Sequence, residues 1–267
     1  MLYNSLCYFI IYSFFGWCTE VIYATTKTGK FTNRGFLSGP VCPIYGFGAL
    51  LVIHLLTPVN DNVLLLFLGS VILTTLLEGV VGFILEKLFK TTWWDYSNEP
   101  FNIMGYVCLR FSIYWGLGCL LVMRIFHPMI IDFVDWIPMF VGNISVFVLL
   151  LYMVFDFIYS VSVILKFNHH LERLEELSKD MKVFANVVGN MISEATMDAV
   201  ELKEDLEEYE EKLKKTRKEY NDLLNHKLSQ NRFIKSFPAL KSLNHNEALI
   251  DIKNNLEKIR KERRANK

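Results

Sequence analysis

The sequence predicts an all-α, polytopic membrane protein with about five transmembrane helices and a C-terminal cytoplasmic coiled-coil region. Hydrophobic residues make up 52% of the 267 residues, although charge divides the chain into two unlike parts. Residues 1–165 carry seven basic and nine acidic side chains, whereas the remaining residues carry 21 and 19. We therefore predict a transmembrane domain over 1–165, a cytoplasmic coiled-coil helix over 166–235 and a short C-terminal helix with a basic end over 236–267.

Five segments are apolar enough to be spans: 2–24, 39–56, 62–83, 101–126 and 137–165. A hydrocarbon core of ~30 Å needs about 20 such residues, and only the second segment falls short of this length. That segment contains several Gly and Pro residues, so it also fits a re-entrant or broken helix that lines a cavity. The first segment has no basic n-region and no cleavage site, which predicts a retained helix and not a signal peptide.

The charges of the connecting segments predict the orientation. The connection 25–38 contains Lys27, Lys30 and Arg34 and the connection 84–100 contains Lys87 and Lys90, whereas 57–61 and 127–136 contain no Lys or Arg. Arg124, at the end of the fourth segment, is the exception. Because cytoplasmic loops are enriched in Lys and Arg, we predict a multi-pass protein of the cell membrane with its N-terminus outside and its C-terminus in the cytoplasm.

Several classes of function are excluded or disfavoured. The five cysteines all fall in apolar segments without a Cys-x-x-Cys pair, so we predict neither a metal site nor a cofactor. Acidic residues balance the basic ones and no aromatic platform lies among them, which excludes a nucleic-acid reader. Glu20 or Glu78 acting as acid or base would suit a membrane enzyme, but no nucleophile motif accompanies them, and we expect no enzymatic activity.

Four ionisable residues stand out within the predicted spans: Glu20, Glu78, Arg110 and Asp156. Such groups are costly in a bilayer, so they usually face the bundle interior and pair with one another. One interpretation is a structural ion pair of Arg110 with Glu78 or Asp156. The other is a cytoplasm-facing polar pocket for a small solute or ion, because one arginine neutralises only one carboxylate fully. In that case another carboxylate is protonated or binds a cation.

Two of the polar stripes at helical spacing support an inward orientation of these groups. One comprises Thr74, Glu78 and Gly82, and the other runs Asn102, Tyr106, Arg110, Tyr114 and Gly118. Residues four apart share one face of a helix, so both stripes are expected to face the bundle interior.

The two predicted cytoplasmic connections carry an unusual set of residues: Asn33, Arg34, Trp94, Asp95, Tyr96 and Asn102, with Tyr45 close behind the first. Trp and Tyr favour the membrane interface, so anchoring is one interpretation. The alternative is a gate over the pocket, with Arg34 and Asp95 paired across it.

These residues carry a resemblance to a known family. The run Asn33-Arg34-Gly35-Phe36, followed by Gly39-Pro40, Pro43-Ile44-Tyr45-Gly46, Glu78, Trp94-Asp95-Tyr96 and Phe101-Asn102, resembles a bacterial membrane family labelled ABC-transporter permease, CmpB-like. The resemblance covers about residues 1–165 and implies transport with a separate ATPase subunit. The chain itself contains no Gly-x-x-x-x-Gly-Lys-Ser/Thr phosphate loop.

In the tail, apolar residues recur mostly three, four or seven positions apart from Leu171 to about 230. Alternation of three and four is typical of a coiled-coil seam. The seam is compatible with self-association or with a helical hairpin, and both remain open at this point. The basic end at 258–264 is either a solvated terminus or a contact to anionic lipid.

Two function classes follow. The first is a transporter or permease-like component of the membrane, which the convergence of charges beneath Gly/Pro-rich segments favours. The alternative is a membrane-anchored sensor or scaffold that acts through its coiled-coil tail. The lipid bilayer is the one partner that both classes require.

Overall fold

A computed structural model describes residues 2–194, 201–228 and 231–265. The chain is 80% helical with almost no sheet, which confirms the all-α class. It divides into two compact units, one formed by Met1–Val163 with Lys235–Leu240 and the other by Ile164–Ile234 with Lys241–Lys267.

The first unit contains the apolar helices. They are α1 (Leu2–Thr28), α2 (Pro43–Leu56), α3 (Val63–Phe89), α4 (Leu109–Leu121), α5 (His127–Trp136) and the start of α6 (Met139–Glu194). In the described part of the chain, four helical segments are long and apolar enough to cross a membrane: Leu2–Thr28, Val63–Phe89, Leu109–Trp136 and Met139–Asn190. Helix α2 has 14 residues, fewer than the roughly 20 a span needs, so the count of five spans stays a prediction.

Local sequence signals set several helix ends. Helix α1 stops where Gly29 adopts a left-handed φ of 68°, a conformation that glycine reaches without strain. Helix α3 begins at an N-cap, because the side chain of Asn62 accepts a hydrogen bond of 3.1 Å from the backbone N–H of Leu65. It ends at Phe89, and the C-cap residue Lys90 is left-handed with a φ of 50°.

Polar contacts at both ends show that α2 runs antiparallel to α1. Near the start of α1, Ser5 Oγ lies 3.1 Å from Nε2 of His54 on the last turn of α2. Near the end of α1, Glu20 contacts Tyr45 on the first turn of α2. Helix α2 therefore extends along most of α1 despite its short length.

The structure corrects the predicted fourth span at both ends. Residues 101–108 were expected to be helical, but they contain two short antiparallel strands, β2 (Asn102–Ile103) and β3 (Val107–Cys108), which follow β1 (Thr91–Thr92). Asn102 and Tyr106 consequently do not share a helix face with Arg110, and the stripe predicted there is wrong.

At its other end the fourth helical segment is longer than predicted. Residues 127–136 were expected to form a connection, but they are helix α5, joined to α4 by a wide π-helical turn over Val122–Phe126. Pro128 lies in the first turn of α5 and would clash with the carbonyl of Arg124 in a regular helix. The wider turn lets the chain continue through the proline.

The segment Lys235–Leu240 belongs to the first unit although it follows the tail in sequence. The hydroxyl of Ser236 donates a hydrogen bond of 2.5 Å to the backbone carbonyl of Asn33. The ring of Phe237 packs edge-on against Trp93, with 4.9 Å between ring centroids. Residues 235–240 thus contact both the α1–α2 loop, at Asn33, and the α3–α4 loop, at Trp93.

The second unit contains the rest of α6, α7 (Glu201–Asp222), a π-helical turn (Leu223–Leu228), most of α8 (Arg232–Ser236), β4 (Lys241–Ser242) and α9 (Asn246–Ala265). Arg173 on α6 pairs with Glu219 on α7 at 3.1 Å, and further along α6 Phe184 contacts Tyr209. These two contacts show that α6 and α7 pack antiparallel within one chain. The described part of the tail therefore forms a helical hairpin, one of the two arrangements with which the predicted seam is compatible.

Other expectations for the tail are not all covered by the described residues. The side chains of Leu202 and Leu206 in the predicted seam, and those of Arg260, Arg263 and Arg264 at the basic end, lie outside the described part of the structure. Leu171 and Leu174 of the seam are buried, as an apolar face of α6 requires, and Leu177 beside them is buried as well. Self-association through the tail stays a prediction.

Candidate functional site

The loop between α1 and α2 is organised by one asparagine. Asn33 Oδ1 accepts hydrogen bonds from Nε1 of Trp17 at 2.9 Å and from the backbone N–H of Gly35 at 3.0 Å. Its amide nitrogen donates to the carbonyl of Ser38 at 2.7 Å. Because three separate groups depend on this side chain, Asn33 fixes the path of the loop.

The same loop enters the bundle as irregular backbone and is held there by Asp156 of α6. This carboxylate is 7% exposed and accepts the N–H of Ser38 at 3.0 Å and that of Gly39 at 2.7 Å. The N–H of Cys42 then donates to the carbonyl of Ser13 on α1 at 2.8 Å. Irregular backbone is tolerated at membrane depth only when protein groups satisfy it, and Asp156 does so here.

Glu20 of α1 is held between the loop and α2. Its Oε1 accepts a hydrogen bond of 2.7 Å from the hydroxyl of Tyr45, and its Oε2 lies 3.4 Å from Nε of Arg34. The guanidinium of Arg34 also lies over the ring of Tyr23, 5.1 Å from its centroid. The loop thus brings its own cation to the carboxylate at the end of α1.

A close helix contact positions Tyr45. A Cβ atom placed on Gly16 would overlap the Tyr45 ring, so α1 can approach the ring of Tyr45 on α2 this closely only because residue 16 is glycine. This contact aims the Tyr45 hydroxyl at Glu20, one turn further along α1. Any larger residue at position 16 would move the tyrosine.

Glu78 of α3 is the second carboxylate of the site. Its Oε1 accepts a hydrogen bond of 3.2 Å from the hydroxyl of Tyr96 in the loop before α4, and Trp115 of α4 lies beside it. Within the described residues, Oε2 of Glu78 is buried and accepts no hydrogen bond of full geometry, and the indole of Trp115 is the further donor that interacts with this carboxylate. Burial and the neighbouring carboxylate of Glu78 raise the pKa of Tyr96, so the phenol stays protonated and donates.

An aromatic contact joins the two carboxylates. The rings of Tyr45 and Trp115 meet edge to face with 5.5 Å between their centroids, and each of these residues lies beside one of the two glutamates. We call Glu20, Arg34, Tyr45, Glu78, Tyr96 and Trp115 the carboxylate cluster. It draws on the four helices α1 to α4 and on the α1–α2 and α3–α4 loops.

The structure does not form either of the ion pairs expected from sequence. Arg110 lies on the exposed side of α4 and pairs with Glu99 at 3.6 Å, not with Glu78 or Asp156. The pair expected between Arg34 and Asp95 is also wrong, because Arg34 pairs with Glu20. Asp95 instead accepts a hydrogen bond of 2.9 Å from the N–H of Ser97, two residues away.

The remaining loop residues order the segment before α4. Trp94 Nε1 donates to the carbonyl of Tyr106 at 2.8 Å, and Asn102 donates to the carbonyl of Glu99 at 2.8 Å. The Tyr106 hydroxyl in turn donates to Glu86 of α3 at 2.8 Å. This segment is therefore tied to α3, which sets the position of Tyr96 over Glu78.

Sequence reasoning missed Trp115, whose ring contacts Tyr45. Its neighbour Tyr114 belongs to the predicted polar stripe, but Trp115 lies on a different face of α4, and no spacing signal links it to Glu78 or Tyr45. Only the packing of α4 against α2 and α3 brings the indole to this place.

A separate cavity of about 560 Å³ lies between α1, α5 and α6. Its walls are apolar and include Phe14, Met129 and Leu149. Neither glutamate of the carboxylate cluster lines it, so the polar site and this apolar cavity are different places. In the part of the chain that the structure describes, no three His, Cys, Asp or Glu side chains are grouped to hold a metal ion.

Comparison with known proteins identifies the family. A family model described as "Putative ABC-transporter type IV" matches residues 7–161, more than half of the chain. The chain belongs to this family. No curated protein and no solved structure matches it. The matched range covers α1 from Cys7 onward, α2 to α5 and the part of α6 that carries Asp156. It therefore includes every residue of the carboxylate cluster in this ABC-transporter family member.

Proposed function

We propose that the protein is the membrane component of a transport system and that the carboxylate cluster is its site for a small solute or ion. The apolar helices and the membership of an ABC-transporter family support a membrane transport component. The cluster adds ionisable groups that are held at the helix interfaces, where they usually mark solute or ion pathways.

One observation carries the choice of site. Oε2 of Glu78 is a buried acceptor without a hydrogen bond of full geometry among the described residues, whereas both oxygens of Glu86 on the same helix accept hydrogen bonds. An unsatisfied buried acceptor is costly, and a ligand that donates a hydrogen bond or carries positive charge would remove that cost. The proposed ligand is therefore a proton, a small cation or a solute with an N–H or O–H donor.

Both loops at this end of the bundle contact the cluster, which supports a gating role. Arg34 of the α1–α2 loop lies on Glu20, and Tyr96 of the α3–α4 loop lies on Glu78. Movement of either loop would uncover a carboxylate. The gate proposed here thus depends on two loop-to-carboxylate contacts, in place of the Arg34–Asp95 pair.

The orientation belongs to the same proposal. Lys and Arg residues lie in the α1–α2 loop and at the start of the α3–α4 loop, so we place both loops and the tail in the cytoplasm, with the N-terminus outside and the protein in the cell membrane. The site would then open to the cytoplasm. Energy would come from a separate ATPase subunit, which the family membership supports. The proposal assigns no catalytic step to Glu20, because Arg34 and Tyr45 already engage both of its oxygens.

The test is binding of a metabolite and ion library to the purified protein, measured as a shift in melting temperature. Wild type is compared with Glu78→Gln and with Glu86→Gln as a matched control on the same helix. A ligand whose shift disappears in Glu78→Gln and persists in Glu86→Gln supports the site. Ligands that stabilise all three proteins equally, or no ligand at all, would remove the carboxylate cluster from the proposal.

A sensor or scaffold that acts through its tail is the second candidate. The antiparallel contacts of α6 and α7 favour it, because they make the tail an ordered helical module and not a solvated appendage. Complementation of a deletion strain separates the two functions. A scaffold keeps its function in Glu78→Gln and loses it when Arg173 and Phe184 are replaced by alanine, whereas a transporter shows the reverse.

A further inference from the structure

Strand β2 and the residues directly before and after it display three large apolar side chains. Phe101, Ile103 and Met104 are 79%, 63% and 85% exposed. Side chains of this kind scattered singly over a surface are ordinary, but three within four residues form a patch that requires a partner. We call residues 101–104 the apolar tip.

The backbone of the apolar tip is held in an uncommon conformation. Phe101 and Met104 have φ values of 53° and 52°, in the left-handed region that residues other than glycine seldom adopt. The base of the hairpin is fixed, because Asn102 bonds the carbonyl of Glu99 at 2.8 Å and Gly105 accepts a hydrogen bond of 2.9 Å from the N–H of Tyr96. The apolar side chains are thus presented by an ordered support.

The chain connectivity places the apolar tip at the edge of the membrane. Helix α3 ends at Phe89, and strand β3 leads without a break into Leu109, the first residue of α4. Both helices are long enough to cross a bilayer, α4 together with α5. Leu88 and Leu109, at the adjoining helix ends, are themselves exposed apolar residues, so the tip continues a surface that faces lipid.

Basic side chains accompany this surface. Lys87 lies in the last turn of α3 and Lys90 follows it, and both are exposed. Basic residues beside an apolar element complement the negative charge of anionic headgroups. A protein partner would not explain why the patch lies between two helix ends at the membrane boundary.

We propose that the apolar tip inserts into the boundary between the headgroups and the acyl chains of the bilayer and anchors the α3–α4 loop there. Short apolar elements beside basic residues bind membrane interfaces in this way. Since the same loop carries Tyr96, the anchor would fix the position of the hydroxyl that contacts Glu78. The proposal rests on the membrane-spanning helices and not on transport.

Cysteine labelling of the full chain in nanodiscs tests it. The nanodiscs contain phosphatidylethanolamine and phosphatidylglycerol and leave both membrane faces open to a water-soluble maleimide. Ile103→Cys and Met104→Cys are compared with Asn98→Cys, an exposed polar position in the same loop. The native cysteines are buried or half-buried, and wild type measures their background labelling. Two tip positions are used so that a variant with an altered melting temperature can be set aside.

The two tip cysteines are expected to label roughly tenfold more slowly than Asn98→Cys, which corresponds to a preference for lipid of about 1.4 kcal/mol. Equal rates at the tip and at Asn98→Cys would overturn the proposal and leave the tip as a water-exposed surface for a protein partner. Fast labelling at the tip is predicted only after the protein is unfolded in denaturant.

Discussion

Replacing Asp156 is expected to release the α1–α2 loop where it enters the bundle. Its two oxygens accept the N–H groups of Gly39 and Ser38, at 2.7 and 3.0 Å. In Asp156→Asn, the amide oxygen can still accept one of these two backbone N–H groups, but the NH₂ group faces the other N–H and cannot accept it. A buried donor without an acceptor costs about 1–3 kcal/mol, so Asp156→Asn should lower the free energy of unfolding by this amount. Asp156→Leu leaves both donors unpaired and should cost roughly 2–6 kcal/mol.

Hydrogen exchange of the loop, followed by mass spectrometry, is the most direct assay. A loss of about 1–3 kcal/mol should speed exchange of the affected amide by roughly 5–150-fold. Ser162→Ala is the matched control, because Ser162 is exposed on the same helix and its hydroxyl donates within α6 to the carbonyl of Ile158. The control should exchange like wild type, and melting of the purified proteins should rank Asp156→Leu below Asp156→Asn.

One result would refute this reasoning. If Ser38 and Gly39 exchange at wild-type rates in both Asp156 variants, the carboxylate is not what satisfies the loop backbone. A uniform acceleration over all helices would instead show a general loss of stability, with no particular role for these two hydrogen bonds.

Two further predictions concern other parts of the chain. Gly16→Leu should lower the melting temperature strongly, since even a Cβ at this position overlaps a ring on α2, whereas Gly118→Leu should not, because a Cβ there meets nothing within 4 Å. In the tail, hydrogen bonds from Lys179 and His245 hold the pKa of Glu175 below its usual range. The stability from these contacts should be complete above the unfolded pKa of about 4.3 and fall as the pH drops through the lower folded pKa. Thermal unfolding of the tail between acidic and neutral pH measures this, and a Glu175→Gln variant with an unchanged pH dependence would contradict it.

Part of the candidate site could be anticipated from sequence. Glu20, Glu78 and Asp156 were selected because each is an ionisable residue within an apolar segment, where such residues are rare. The structure joins the first two through Tyr45 and Trp115, whereas Asp156 is used to satisfy loop backbone. Spacing along one helix does not reveal which neighbouring element a side chain will meet, and so this division could not be predicted.

Arg110 shows the limit of periodicity in another way. Its expected partners depended on a continuous helix from 101, but Gly105, with a φ of 74°, and the paired strands β2 and β3 interrupt that pattern. Residues four apart share a face only while the chain is helical. Once the helix begins at Leu109, Arg110 lies in its first turn and pairs with Glu99 in the preceding loop.

The sequence by itself determined that this is a helical membrane protein, because the length and polarity of a segment decide whether it can cross a bilayer with its backbone hydrogen bonds satisfied. Only the tertiary structure determined which partner each charged side chain contacts. Arg34 reaches Glu20, and Asp156 reaches Ser38 and Gly39, because of the path that the α1–α2 loop takes into the bundle. That path depends on close contacts between residues far apart in the chain, and such contacts cannot be predicted from local sequence patterns.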